Sequence, residues 1–440
     1  MKHSPAGKKL SLVGSVSLGT GVMIGAGIFV LLGQVAELAG ILFPLAFLVG
    51  AVVTGFSAYS YVKFSNAYPS SGGIANFLRK AYGPGTATGT FSLLMYVSMV
   101  IAESLVARTF GTYTLRLFDI TSTSRLVPML GVALIAIAFI INISGNRTIG
   151  ATATVTAIIK ILGIAVLAIA GLAVGALPTF ETAAGGAGSD LGVGGFIAAL
   201  ALAILAYKGF TTITNQGGDI VDPHRNVGRS IIISVIICAA IYVALALSVA
   251  ANLSVPEIIA AKDYALAEAA RPVFGDWGLW FTVSLAIIAT VSGLIASVFS
   301  ASRLLAMLSN MKQIPRFTSR LSNPALIVTV LLASTLTILF NLTRIAAIGA
   351  IFYLVMDIAI HWGLFRYLRQ EIDFRPVITL AAILFDSVIL AVFLVLKLRS
   401  DPLVPVVALI GILLVLIAQR LFMITHTDSD GVMHMEMDED

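Results

Sequence analysis

The sequence predicts an all-α membrane protein of twelve transmembrane helices, and three observations carry that prediction. Only 11% of residues are charged and 58% are hydrophobic, against about 25% and 45–50% in ordinary soluble domains. The apolar residues fall into uncharged blocks of roughly 18–25 residues, the length a helix needs to cross about 30 Å of hydrocarbon. Lys and Arg are distributed unevenly between alternate loops, as the positive-inside rule requires of a multi-span chain.

Reading apolar blocks between turn signals gives twelve spans. They cover residues 12–36, 40–62, 86–115, 126–143, 150–175, 193–216, 229–251, 277–302, 325–341, 344–365, 376–396 and 402–423. The basic start, Lys2 to Lys9, precedes an apolar stretch too long for a signal-peptide core, so the first span is retained as a helix. With the N-terminus in the cytoplasm, 17 of the 27 Lys and Arg fall inside and seven outside, a bias that supports both termini in the cytoplasm. Residues 176–194, rich in Gly and Ala without Lys or Arg, read as an external linker. Residues 255–275 contain Pro256 and a helix-like run from Tyr264 to Val273 that could lie across the outer vestibule. The acidic tail, 424–440, reads as disordered and the first 11 residues as a cytoplasmic leader to the bundle.

Several function classes are excluded. The single cysteine, Cys238, lies in an apolar block, so no disulfide forms within the chain. Five histidines at 3, 224, 361, 426 and 434 lack metal-ligand spacing, and no phosphate-binding glycine loop is present. No metal or organic cofactor is expected, and an enzyme has no nucleophile to use. The net charge of +5 reports membrane orientation rather than a nucleic-acid partner. A channel would show a filter motif and a sensor a soluble domain; the sequence has neither.

Two spans carry interruptions. The first contains Gly19-Thr-Gly-Val-Met-Ile-Gly-Ala-Gly-Ile-Phe29, in which Gly21, Gly25 and Gly27 weaken the helix. Close packing explains Gly21-x-x-x-Gly25 equally well. The sixth contains Tyr207-Lys-Gly-Phe-Thr-Thr-Ile-Thr-Asn-Gln-Gly-Gly-Asp219, polar groups that survive at membrane depth only where protein or a water-filled cavity satisfies them. Paired interruptions in corresponding helices point to a transporter binding site. A broken helix frees N–H groups that suit a carboxylate and C=O groups that suit an ammonium, the two ends of an amino acid.

The chain resembles the amino acid–polyamine–organocation transporter superfamily over nearly its whole length. The motifs are Gly25-Ala-Gly-Ile-Phe29, Tyr68-Pro-Ser-Ser-Gly-Gly73, Tyr207-x-Gly-Phe210, Ile213-Thr-Asn215, Asp219-x-x-Asp-Pro-x-x-Asn226, Ser302-Arg303 and Ile314-Pro315, in that order. The resemblance implies the leucine-transporter fold, with inverted five-helix repeats at 12–175 and 193–365, broken helices 1 and 6, and two added helices at 376–423. It implies an amino acid or amine substrate moved by alternating access, and it is closest to proton-coupled, broad-specificity prokaryotic members. The substrate residues it implies are Ile24, Gly25, Ala26, Gly27 and Ile28 of the first span and Ile204, Ala206, Tyr207 and Gly209 of the sixth. Where the family often has aromatic residues before the break, this chain has Ile204 and Leu205. Apolar pocket edges at Ile24, Ile204 and Leu205 point to an uncharged or small apolar amino acid. Apart from that substrate, membrane lipid is the expected partner.

Charges within the spans complete the picture. Lys160 is roughly ten residues, or ~15 Å, from the cytoplasmic end, too deep for simple snorkelling. In the resembled proton-coupled members a fifth-span lysine stands where sodium-coupled relatives bind sodium, which makes Lys160 the candidate proton-coupling residue and the proton, rather than sodium, the coupling ion. Thr290, Ser292 and Ser297 could supply hydroxyls near it. Lys208 could contact a substrate carboxylate or face water, but pairing with Glu103 or Asp357 is the expected role. Asp219, Asp222 and Arg225, at the cytoplasmic end of the sixth span, read as an inner-gate charge cluster or as a solvated helix end. Symport with protons and exchange of amino acids or amines both fit this reading.

Overall fold

Lipid offers the backbone no hydrogen-bond partner, so a chain this apolar has to close its N–H and C=O groups within helices. The computed structural model follows that rule: it describes residues 9–143, 146–176, 192–315 and 323–427, and contains no strand among them. For Ala26, 146–154 and 425–427 it describes the backbone alone. The linker expected at 176–194 and the disordered tail expected at 424–440 therefore lie mostly outside the described residues, and residues 424–427 continue the last helix instead of beginning the tail.

The long helices are α1 (Leu12–Ala39), α2 (Phe43–Ala67), α4 (Thr86–Arg116), α5 (Leu126–Ile143), α6 (Asn146–Val174) and α7 (Gly192–Tyr207), followed by α9 (Pro223–Asn252), α13 (Asp276–Asn310), α14 (Pro324–Leu339), α15 (Leu342–Tyr367), α16 (Pro376–Ser400) and α17 (Leu403–Thr427). Shorter ones are α3 (Gly73–Tyr82), α8 (Thr211–Thr214), α10 (Val255–Ala260), α11 (Ala265–Ala269) and α12 (Arg271–Phe274). Ten helical stretches among the described residues are long and apolar enough to cross a membrane, and Leu12–Gly25 and Pro324–Leu339 are shorter apolar ones. The observed ends follow the local sequence. The Ser11 hydroxyl accepts from the Gly14 amide to start α1, Pro44 and Pro223 open α2 and α9, and Ser254 and Glu257 form a capping box at α10.

α1 is the central element, packed on α6, α7, α9 and α13. Its side chains Ile24, Ile28, Val30 and Leu31 are fully buried, as befits a helix that is apolar all round. α17 is the opposite case: only 11% of its membrane-length window is buried, so its Leu and Ile side chains face lipid. Trp277 and Trp280 stand exposed at the start of α13, where an aromatic ring finds the membrane–water boundary.

Three differences from the sequence reading have physical causes. α1 is one unbroken α-helix through Gly19–Phe29, not the expected broken one. Its glycines serve close packing instead. A Cβ on Gly25 would meet the Gly293 Cα at 3.2 Å, and one on Gly27 would meet the Ala206 carbonyl at 2.9 Å. The run from Tyr264 to Val273 resolves into α11 and α12, with Leu266 and Ala267 buried. Finally, α3 is a helix that block hydropathy misses, because it is short and amphipathic: Ile74, Phe77 and Leu78 are buried while Arg79 and Lys80 are exposed.

Candidate functional site

The sixth span is interrupted where its sequence turns polar. α7 ends at Tyr207, Lys208–Phe210 forms a 3-10 turn, and α8 lasts only from Thr211 to Thr214. A second 3-10 turn, Gly217–Asp219, precedes α9. The break is held by backbone brought close. The Gly72 amide donates to the Asn215 carbonyl at 2.7 Å, with Gly72 at a φ of 98° that favours glycine. This docking explains the Tyr68–Gly73 motif: side chains at 72 and 73 would collide with Met307 and with the Thr214 carbonyl.

Beside the break lies an internal cavity of about 60 Å³, enough for a few waters on a scale where one needs about 10–15 Å³. Its walls come from α1 (Met23, Gly27), α4 (Met99, Ala102), the break (Leu205, Ala206, Lys208, Gly209, Thr211), α13 (Ser297) and α15 (Tyr353). Of the sequence-predicted substrate residues, the structure brings Gly27, Ala206 and Gly209 to this wall. Ile24, Ile28 and Ile204 are instead buried in the core, Gly25 is against Gly293, and the Ala26 side chain lies outside the described residues. The Tyr207 hydroxyl donates to the Phe47 carbonyl at 3.1 Å and so points away to α2. Sequence reasoning missed Tyr242, whose hydroxyl donates to the Met23 carbonyl at 2.6 Å beside the cavity; nothing in its apolar surroundings marks it.

Lys160 is almost fully buried on α6. Its Nζ donates to the Gly21 carbonyl at 2.7 Å and to Ser292 Oγ at 3.0 Å, and it has no carboxylate in ion-pair reach among the described residues. Of the three hydroxyls expected nearby, Ser292 makes the contact. Thr290 turns back to the Ala286 carbonyl at 2.7 Å, and Ser297 lies beside the buried Glu103 carboxyl.

Lys208 pairs with Asp357, not Glu103. Its Nζ donates to Asp357 Oδ2 in a buried ion pair and to Ser57 Oγ at 3.0 Å. Asp357 also accepts from Ser57 Oγ at 3.0 Å and from the Tyr61 hydroxyl at 2.8 Å. A buried charge pair needs its remaining lone pairs and protons met; Ser57 and Tyr61 serve Asp357, and the ammonium also stands 5.3 Å from the Phe210 ring centroid. Beyond it, His361 Nε2 lies 3.2 Å from Asp386 Oδ2, both fully buried. The i, i+4 spacing of Asp357 and His361 was a readable signal that the two share a helix face.

At the end of the bundle that holds the start of the chain, Asp219 Oδ2 accepts from Arg303 Nη1 at 2.5 Å. The Leu10 amide donates to the Asp219 carbonyl at 2.8 Å, and the Val221 amide donates to the Leu10 carbonyl at 2.9 Å. Asp222 and Arg225 are exposed there without an ion pair to Asp219 or to each other. The ion-pair partner of Asp219 is thus Arg303, from the Ser302-Arg303 motif, rather than Arg225.

An apolar helical bundle with a small internal cavity beside a 3-10 interruption in one span has the architecture of a membrane transporter. The chain belongs to the amino acid permease family, whose sequence profile matches residues 10–429, and its relatives are transporters of the amino acid–polyamine–organocation superfamily. It is 29% identical to the inner membrane transport protein YbaT of Escherichia coli, over 83% of this chain and 85% of that protein. An uncharacterized protein of Methanocaldococcus jannaschii is 32% identical over 79% of this chain and 80% of its own. The serine/threonine exchanger SteT of Bacillus subtilis is 27% identical over 72% of this chain and 71% of its own. The protein is an amino acid transport protein of many membrane-length helices, not an enzyme.

Proposed function

We propose that the protein moves a small uncharged or apolar amino acid across the cytoplasmic membrane together with a proton. The bundle works by alternating access as twelve spans, arranged as inverted repeats at 12–175 and 193–365 with 376–423 added, both termini cytoplasmic. The observation that carries the reading is the Lys160 amine, buried between α1, α6 and α13 and bonded, among the described residues, to uncharged oxygens of Gly21 and Ser292. A proton gained or lost there changes the charge at the seam where the central helix meets its partners, and an isolated charge at membrane depth is costly. The substrate occupies the cavity walled by Gly27, Ala206 and Gly209, and its small volume favours a small side chain. Asp219 and Arg303 close the inner side, with Asp222 and Arg225 at its mouth. No cofactor takes part, and sodium is not the coupling ion.

The test is uptake of pooled labelled amino acids into proteoliposomes, without sodium and with or without an inward proton gradient. Uptake that rises with the gradient and collapses with a protonophore supports symport. Uptake that ignores the gradient but needs preloaded amino acid supports the second reading, exchange, which the relative named a serine/threonine exchanger favours.

A further inference from the structure

The polar cluster around Asp357 does not balance its charge. Its members come from four elements: Ser57 and Tyr61 on α2, Lys208 at the break, Asp357 and His361 on α15, and Asp386 on α16. One side-chain nitrogen of His361 and one carboxylate oxygen from each of Asp357 and Asp386 lie within 4.8 Å of one another, and all three side chains are fully buried. The Tyr61 ring stands edge-on to His361 at 6.4 Å. Tyr353, one turn before Asp357, also faces this carboxylate. Glu103 on α4 is beside Ser297 and makes no ion pair with the cluster.

Lys208 contributes one positive charge and the two aspartates two negative ones, so with a neutral imidazole the cluster carries a net charge of −1. Lys208, Ser57 and Tyr61 all serve Asp357. Among the described residues, Asp386 has the 3.2 Å approach to His361 as its ion-pair contact and accepts no aligned hydrogen bond from protein. A buried carboxylate is retained ionised only when its charge is matched. The missing positive charge belongs at the 3.2 Å contact between His361 Nε2 and Asp386 Oδ2.

We infer that His361 and Asp386 hold one proton between them, a proton-binding site separate from Lys160 and tied through Asp357 to Lys208 at the cavity wall. The proton resides on the imidazole facing a carboxylate, or on the carboxyl facing a neutral imidazole; either way the cluster is neutral. Lys208 is shared between the cluster and the cavity. Drawing its ammonium toward an anionic group in the cavity leaves Asp357 unmatched, and the cluster then takes up a second proton. By linkage, proton uptake at the cluster and anion binding at Lys208 reinforce each other.

The experiment uses the full chain in lipid nanodiscs and requires no transport. Solid-state NMR of protein labelled with nitrogen-15 at histidine reports imidazolium, and difference infrared spectroscopy reports the C=O stretch of a protonated carboxylic acid. Near neutral pH one signature is expected: an imidazolium signal missing from His361→Gln, or a carboxylic acid band missing from Asp386→Asn and retained in Glu103→Gln. In Lys208→Met the same charge count predicts one further protonated group. The inference is overturned if neither signature depends on His361 or Asp386, or if Lys208→Met leaves the number of protonated groups unchanged. Should the variants fail to fold, the wild type still decides. Neutral histidine throughout, with no carboxylic acid band, from about pH 7.5 to about pH 9, above the ordinary histidine value of about 6.5, excludes the site.

Discussion

The Lys160 amine donates to the main-chain carbonyl of Gly21 across 2.7 Å, joining α6 to the glycine-rich middle of the central helix α1. The contact needs a small residue at 21: a Cβ there would stand 3.7 Å from Nζ, and a larger side chain would displace the amine. The amine is therefore coupled to the position of α1 relative to α13, which also supplies Ser292. Movement along that seam changes the surroundings of the proton.

Lys160→Ala is expected to abolish uphill, gradient-driven accumulation in proteoliposomes while leaving substrate binding measurable by thermal shift. Continued accumulation driven by a pH gradient would eliminate Lys160 as the coupling residue.

The Lys208–Asp357 pair is buried on both sides. Breaking such a pair from one side strands a charge and costs about 3–5 kcal/mol before any proton uptake relieves it. Lys208→Met and Asp357→Leu should each lower the unfolding temperature sharply, and the double variant should lie above both. If the double variant is as unstable as the two losses added together, the pair is not the reason those residues matter.

Helix contact, rather than backbone freedom, is the role assigned to Gly27. Gly27→Ala places a methyl 2.9 Å from the Ala206 carbonyl and 3.2 Å from the Tyr242 hydroxyl, an overpacking expected to cost about 1–3 kcal/mol. Gly55→Ala is the contrast, since a Cβ there meets nothing within 4 Å and should add about 0.5–1 kcal/mol through helix propensity. Thermal unfolding in detergent compares them directly; equal effects at the two sites would refute the packing role.

Asp219 and Arg303 are 44% and 35% exposed, so their pair contributes about 0–1 kcal/mol to stability. Its effect should appear in transport instead. Arg303→Gln is expected to raise cysteine-probe access to the cavity and lower the uptake rate, with partial recovery in the charge-swapped double variant Asp219→Arg/Arg303→Asp. Unchanged access and rate would make this end of the bundle a plain solvated surface.

Arg344 donates through Nε to Asp401 at 2.7 Å, joining the start of α15 to the turn between α16 and α17. Its hydrogen bond and charge hold the Asp401 carboxyl below the usual carboxylate range. The contribution to stability is thus present above the ordinary value of about 3.9 and lost as pH falls through the lower folded-state value. Solvent screening limits it to about 0.5 kcal/mol. Arg344→Gln should lower the unfolding temperature slightly at neutral pH, and the gap should close in strong acid and in high salt.

Much of the bundle was readable because hydropathy is local. The 126–143 block is α5 to the residue, and most other blocks agree with helices to within about five positions, whereas α7 ends nine positions before the predicted 216, α9 starts six before 229 and α13 runs eight past 302. The interruption of the sixth span was equally legible, since Lys208 and the Thr-rich run cannot be accommodated among apolar neighbours without a cavity or partners. The first span was not, because glycine both weakens a helix and lets two helices touch. Gly25 and Gly27 do the second, against Gly293 and Ala206.

What the amino-acid sequence determined by itself is the membrane class, the lengths and order of the apolar helices, and the two buried lysines as the residues to explain. Only the tertiary structure decided that Lys208 takes Asp357 rather than Glu103, that Lys160 rests on Gly21 and Ser292, and that His361 meets Asp386. The reason is physical. Composition and periodicity act over one helix, whereas Glu103 and Asp357 are equally plausible partners by that measure, both acidic and both in apolar spans. The choice is made by helix packing, which brings Lys208 to a carboxylate 149 positions along the chain.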